Sequence, residues 1–275
     1  MTSHAPLVPP PRGIVGVLRP LAIAAALLGL GAGTAAAQHH HHDHGTDGGS
    51  DAAVTGAAGL AVETGHVEAF GERREYQGVA FMGSARIGSF ELAAHLPLYR
   101  IELGPESHAG LGDVHLEAGW IALHRPVEAG VTLAVMPPLG SDEYGLAMGH
   151  WMLMGGAFAR ASRGRASGSL SLGYSSTLGG EGHAEHGVPA WPPVSPMNAR
   201  EIRAVVGARV ALWRWLGAAA SASAAAPVGD GDFLAQAGGG LVGQIDRFEV
   251  GVEASHGLAG HTAGLVVGSH FVFAF

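Results

Sequence analysis

Phe271-Val272-Phe273-Ala274-Phe275 carries a ring on every second residue. In an extended strand, Phe271, Phe273 and Phe275 therefore all point to one side. The same period of two runs back through the chain. In Arg247 to Ser255, the apolar set Phe248, Val250, Val252 and Ala254 alternates with Arg247, Glu249, Gly251, Glu253 and Ser255. Between Glu201 and Leu212, Ile202, Ala204, Val206, Ala208, Val210 and Leu212 oppose Glu201, Arg203, Gly207 and Arg209. Asp113, His115 and Glu117 alternate with Val114, Leu116, Ala118 and Trp120. Alternation fits a soluble sandwich with its apolar face inward, and equally a barrel in lipid with its apolar face outward.

The N-terminus and the composition choose between them. Arg12 and Arg19 precede the apolar run from Leu21 to Leu30, and small residues follow, ending Ala35-Ala36-Ala37. A basic stretch, a short apolar core and an A-x-A site predict a Sec-type signal peptide over 1–37, cut after Ala37. The run is too short for a spanning helix, which needs about 20 apolar residues. The chain has 45 glycines and no cysteine, and only 14% of its residues are charged. A soluble domain normally charges about a quarter or more of its surface. An exported, Gly-rich chain without later apolar helices has the profile of a membrane β-barrel. Its net charge of −8 excludes nucleic acid as a partner.

From residue 57 onward, turn signals divide the chain into segments of the length a tilted barrel strand needs. They fall near 57–68, 76–87, 89–102, 111–123, 127–137, 146–161, 165–177, 200–212, 215–226, 232–244, 246–257 and 263–275. Tight connections alternate with longer ones, including 71–77, 104–110, 138–145 and 178–199. Short turns on one rim and loops on the other predict an all-β, antiparallel, up-and-down transmembrane barrel of about twelve strands over 57–275. An even count puts both ends of the barrel on the periplasmic side and loop 178–199 outside.

The chemistry-bearing residues fall into three groups. His39, His40, His41, His42 and His44 flank Asp43 in a Gly- and Asp-rich stretch over 38–56. Clustered imidazoles with a carboxylate suit Zn²⁺, Cu²⁺ or Ni²⁺, so a disordered metal-binding tail is expected there. No cofactor is required. Loop 178–199 adds His183 and His186 among prolines. The third group is the polar side of the strands: Arg86, Glu91, His95, Asp113, His115, Glu117, Glu201, Arg203, Arg209, Arg247, Glu249 and Glu253, all expected to face the lumen. Such charges must be paired or hydrated there. The chain has no G-x-S-x-G element, and His115 between two acids is explained as well by an ion network, so no enzyme is expected.

Two resemblances add to this reading. The terminal Phe271-x-Phe273-x-Phe275 resembles the closing strand of bacterial outer-membrane β-barrels, which implies recognition by the outer-membrane assembly machinery. Gly110-Leu111-Gly112-Asp113-Val114, Val135-Met136-Pro137-Pro138-Leu139-Gly140 and Ser195-Pro196-Met197-Asn198 before Glu201 are similar to elements of a Gram-negative family named for a phenol-degradation (meta) pathway. Leu139 stands where that family more often has Thr. The resemblance implies an outer-membrane barrel that passes small solutes or metal ions, with no catalytic residues. The alternative is a closed barrel that binds metal or contacts other surfaces.

Overall fold

The computed structural model describes residues 54–69, 72–103, 106–140, 145–178, 194 and 196–275. It is an all-β, antiparallel, closed barrel. The strands are β1 (Val54–Ala69), β2 (Glu72–Ile87), β3 (Phe90–Leu103), β4 (Glu106–Leu111), β5 (His115–Leu123), β6 (Val127–Met136), β7 (Trp151–Arg163), β8 (Ala166–Leu178), β9 (Arg200–Ala211), β10 (Leu216–Pro227), β11 (Leu234–Ile245), β12 (Phe248–Ala259) and β13 (Leu265–Ala274). Each pairs with its neighbour in sequence, and β1 pairs with β13 to close the ring. β4 and β5 both pair with β3 and form two parts of one stave, interrupted at 112–114. The barrel therefore has 12 staves, closed by β1 against β13; among the described strands β4, at the end of its stave, pairs on one side only.

Closure is complete to the last residue. The register runs from Ala57 opposite Ala274 to Gly65 opposite Val266. Gly56 and Phe275 exchange backbone hydrogen bonds of 3.0 and 2.9 Å. On the outer face Phe271 and Phe273 lie against Phe248, with ring centroids 5.6 and 5.1 Å apart, and Phe275 lies 6.3 Å from Phe273.

The two rims differ. Two-residue turns join β2 to β3 (Gly88-Ser89), β7 to β8 (Gly164-Arg165) and β11 to β12 (Asp246-Arg247) on one rim, where Val54 and Phe275 also lie. Gly88 takes φ 59°, the left-handed geometry that such hairpin turns favour. The opposite rim carries the longer connections 137–150 and 179–199. We call them the turn rim and the loop rim. Two connections expected as loops are instead strand: β1 and β2 pair to Ala69 opposite Glu72, and β3 and β4 to Leu103 opposite Glu106. Their charged residues looked like loop because polarity breaks a half-buried strand pattern. Above a bilayer both faces of a hairpin are solvated, so polarity carries no such information.

The strand expected from 146 begins only at Trp151. Residues 145–148 are buried and turn inward. The Met148 N–H is donated to Asp113 Oδ1 at 2.9 Å, not to a neighbouring stave.

Outside, the wall is apolar. Leu92, Leu133, Leu172, Val250 and Val252 each expose more than half of their surface. This is the inverted pattern of a barrel meant for lipid. Phe90, Trp120, Trp213, Trp215 and Phe248 lie outward near the turn rim, and Trp151 and Tyr174 toward the loop rim. These are the positions of interfacial girdles.

Candidate functional site

The inner face is the candidate site, and its charges are organised in layers. Toward the turn rim, Arg86 from β2 bonds Glu128 of β6 at 2.9 Å, and Arg160 of β7 bonds both carboxylate oxygens of Glu91 of β3 at 2.8 and 2.9 Å. Longer contacts, Arg86–Glu91 at 3.8 Å and Arg160–Glu128 at 3.5 Å, join the two pairs into one network. The Arg160 guanidinium also lies 4.7 Å over the Phe158 ring. Across the barrel, Arg209 Nη1 bonds Glu249 Oε2 at 2.7 Å, and His270 Nε2 lies 3.5 Å from Glu249 Oε1. Arg209 sits on β9 and Glu249 on β12. The contact spans β10 and β11, where Gly217 leaves room beside the Arg209 chain.

A middle zone holds Glu63, Glu117 and Glu253, which make no ion pair with another described residue. Glu63 and Tyr99 press against Gly78, where a Cβ would stand 2.9 Å from each. Tyr76 and Tyr99 meet edge to face, with centroids 6.1 Å apart. The wall opposite is small and hydroxyl-lined: Ser167, Ser169, Ser171 and Gly173 on β8, and Ala219, Ser221 and Ser223 on β10. Between these two strands β9 carries Arg203 and Arg209 inward, so the small and hydroxyl residues flank charge on that side.

Near the loop rim, loop segments fold inward. Leu146 is fully buried against Val67, Tyr76, Ile101, Val194 and Ala263. Met148 and Met197, from two different loops, pack with Met136 and Met152. Asn198 fixes the second loop. Its N–H and Nδ2 donate to Glu201 Oε2 at 2.9 and 3.1 Å, and Nδ2 also donates to the Asp232 carbonyl at 2.9 Å. Its Oδ1 accepts the Asp232 N–H at 2.9 Å. Arg203 Nε completes Glu201 by donating to Oε1 at 2.8 Å. Gly231, at φ 144°, lies so close to Asn198 Oδ1 that a side chain there would displace it. Asp232 in turn contacts His261 of the β12–β13 connection.

Among the residues expected at the lumen, Arg86, Asp113, His115, Glu117, Arg203, Arg209, Glu249 and Glu253 lie on the inward side of their staves, opposite the exposed apolar set. Two differ in setting. Glu201 is 0% exposed and bonded to Asn198 of the 196–199 segment, so it anchors that segment and does not line a path. Arg247 stands exposed in the β11–β12 turn, because β12 begins only at Phe248. His39, His40, His41, His42 and His44 lie outside the described residues, as do His183 and His186. Glu63, Glu128 and Arg160 were not singled out from sequence, although each sits on the inward parity of its strand. Leu146, Met148, Met197 and Asn198 carry no such signal, because their roles depend on loops folding back.

No family model matches the chain, and no curated protein matches it. Solved structures do. An outer-membrane channel from Pseudomonas putida F1 superposes with a TM-score of 0.60 at 12% identity, over 84% of this chain and 100% of that one. The NanC porin superposes with a TM-score of 0.53 at 8% identity, over 80% of this chain and 99% of that one. At such identities the likeness is one of fold: both share this barrel architecture. The resemblance to the phenol-degradation family continues to rest on the short motifs that carry it.

Proposed function

We propose that the chain is an outer-membrane channel for small solutes that favours cations, exported by its signal peptide and inserted with the turn rim toward the periplasm. The observation that carries this reading is the balance of the inner face. Inward Glu63, Glu91, Asp113, Glu117, Glu128, Glu201, Glu249 and Glu253 outnumber inward Arg74, Arg86, Arg160, Arg203 and Arg209. Arg86, Arg160, Arg203 and Arg209 are engaged with carboxylates, so the uncompensated charge in the lumen, at Glu63, Glu117 and Glu253, is negative. A low-dielectric wall lined by one sign of charge concentrates the opposite ion. The apolar outer wall supports a membrane setting, and the neighbours described as a channel and a porin fit the same use of the fold. The tail from His39 to His44 would then stand at the periplasmic mouth and capture divalent transition metal there.

The test is a planar-bilayer recording of the protein isolated from outer membranes, under a KCl gradient. A reversal potential toward the potassium equilibrium value supports the reading, and one toward chloride overturns the cation preference. The inward loops favour one competitor, a closed barrel that serves metal binding or surface contact. A folded barrel without conductance steps would select it. Micromolar Zn²⁺ block that disappears without residues 38–50 would tie the tail to the pore.

A further inference from the structure

Every methionine of the chain other than Met1 faces the barrel interior, and the distribution is local. Met82, His95, His115, Met136 and Met152 stand in register on consecutive staves. Met82 lies opposite His95, His95 opposite His115, and Met136 opposite Met152. Leu116 pairs with Val135, so the next step along the same register sets His115 opposite Met136. Directly opposed residues on one face have Cβ atoms about 4.5–5.5 Å apart, within reach of a shared ligand. Met148 and Met197 descend from the two inward loops onto Met136 and Met152, and Met154 packs beside them.

Packing alone does not account for this arrangement. The neighbouring plug around Leu146 is built from Val67, Ile101 and Val194, ordinary branched residues that fill an interior well. Thioethers are gathered instead where imidazoles occur. A second observation points the same way. His150, two residues before Met152, has an Nε2 shielded from solvent with no hydrogen-bond partner among the described residues. A shielded polar nitrogen without a partner is costly, and a metal ion would satisfy it.

We propose that Met136, Met148, Met152 and Met197, with His115 and His150, form a lumenal site for a soft monovalent cation of the Cu(I) or Ag(I) class. Neutral thioether sulfur suits such soft ions, whereas Ca²⁺ and Mg²⁺ take oxygen donors and Zn²⁺ is held by thiolate, imidazole or carboxylate. Two of the sulfurs belong to inward loops, so an occupied site also draws those loops to the wall. The site is separate from the tail, and binding does not require that the lumen conduct.

The test uses the full chain with His39, His40, His41, His42 and His44 changed to Ala, so that the tail contributes nothing. Cu(I) is titrated against bicinchoninate, and copper K-edge absorption reads its ligands. The expected result is Cu(I) withheld from the competitor with a sulfur shell, undisturbed by excess Zn²⁺. In the same background, M136L/M148L/M152L/M197L keeps volume and apolarity. It should still migrate as a heat-modifiable folded barrel but lose the sulfur shell and about tenfold or more in affinity. Equal binding by that variant, or no Cu(I) retained by the parent, overturns the site. Should the fourfold variant not fold, M148L and M197L singly carry the same expectation, since both lie in loops outside the stave ladder. Retention unchanged in both singles likewise overturns it.

Discussion

Asp113 holds the break between β4 and β5 to the inward loop through one carboxylate oxygen, which accepts the Met148 N–H at 2.9 Å. Gly112 beside it has no room for a side chain: a Cβ there would stand 2.5 Å from the Tyr99 ring and 3.1 Å from Pro97. The pair Gly112-Asp113 thus has two separable jobs, making space for Tyr99 and tethering the loop. Asp113→Ala removes the tether, which as a hydrogen bond to a charged group contributes about 1.5–3 kcal/mol. We expect larger or noisier conductance steps from the freed loop in bilayer recordings, with the barrel still folded. Unchanged steps would mean the loop holds its place without Asp113. Gly112→Ala forces Tyr99 aside and should lower stability by about 1–3 kcal/mol, the usual range for overpacking. Urea titration in lipid vesicles reads that loss.

At the scale of the strand, the two faces answer to different solvents. Leu172 lies midway along β8, outward and 55% exposed, while Ser171 beside it lines the lumen. Leu172→Arg should cost about 2–4 kcal/mol, as a basic residue does near the bilayer midplane. Ser171→Arg should leave stability nearly unchanged and lower conductance by narrowing the lumen. Equal destabilisation by both would contradict the assignment of faces. These faces were legible in the sequence because alternation is local: Glu249, Gly251 and Glu253 against Phe248, Val250 and Val252 needs no tertiary information. The stave count was legible for the same reason. What was not legible arises where the chain leaves the pleat. Residues 145–150 have the composition of a strand, yet they turn inward because Leu146 and Met148 find apolar partners there. Asn198 is an ordinary loop residue until β9 and the β10–β11 connection bring Glu201 and Asp232 to it.

For the whole molecule, the ring of staves places charge asymmetrically. Arg86, Glu91, Glu128 and Arg160 neutralise one another on one side, and Arg209, Glu249 and His270 on the other. Neither network supplies a net field of the size that Glu63, Glu117 and Glu253 do between them. Selectivity should therefore reside in the middle zone and not in the more conspicuous salt bridges. Glu117→Gln with Glu253→Gln should move the reversal potential toward zero while leaving the fold intact, because a neutral amide keeps size and hydrogen-bonding capacity. Arg86→Gln should act in the opposite sense on stability: it leaves Glu128 with only the longer Arg160 contact and destabilises the barrel, while adding cation preference. Screening distinguishes the two further. The effect of the glutamate pair should fade as ionic strength rises and the Debye length falls to about 3 Å near 1 M salt. A reversal potential insensitive to Glu117 and Glu253 at low salt would place the filter elsewhere, at the loops of the far rim.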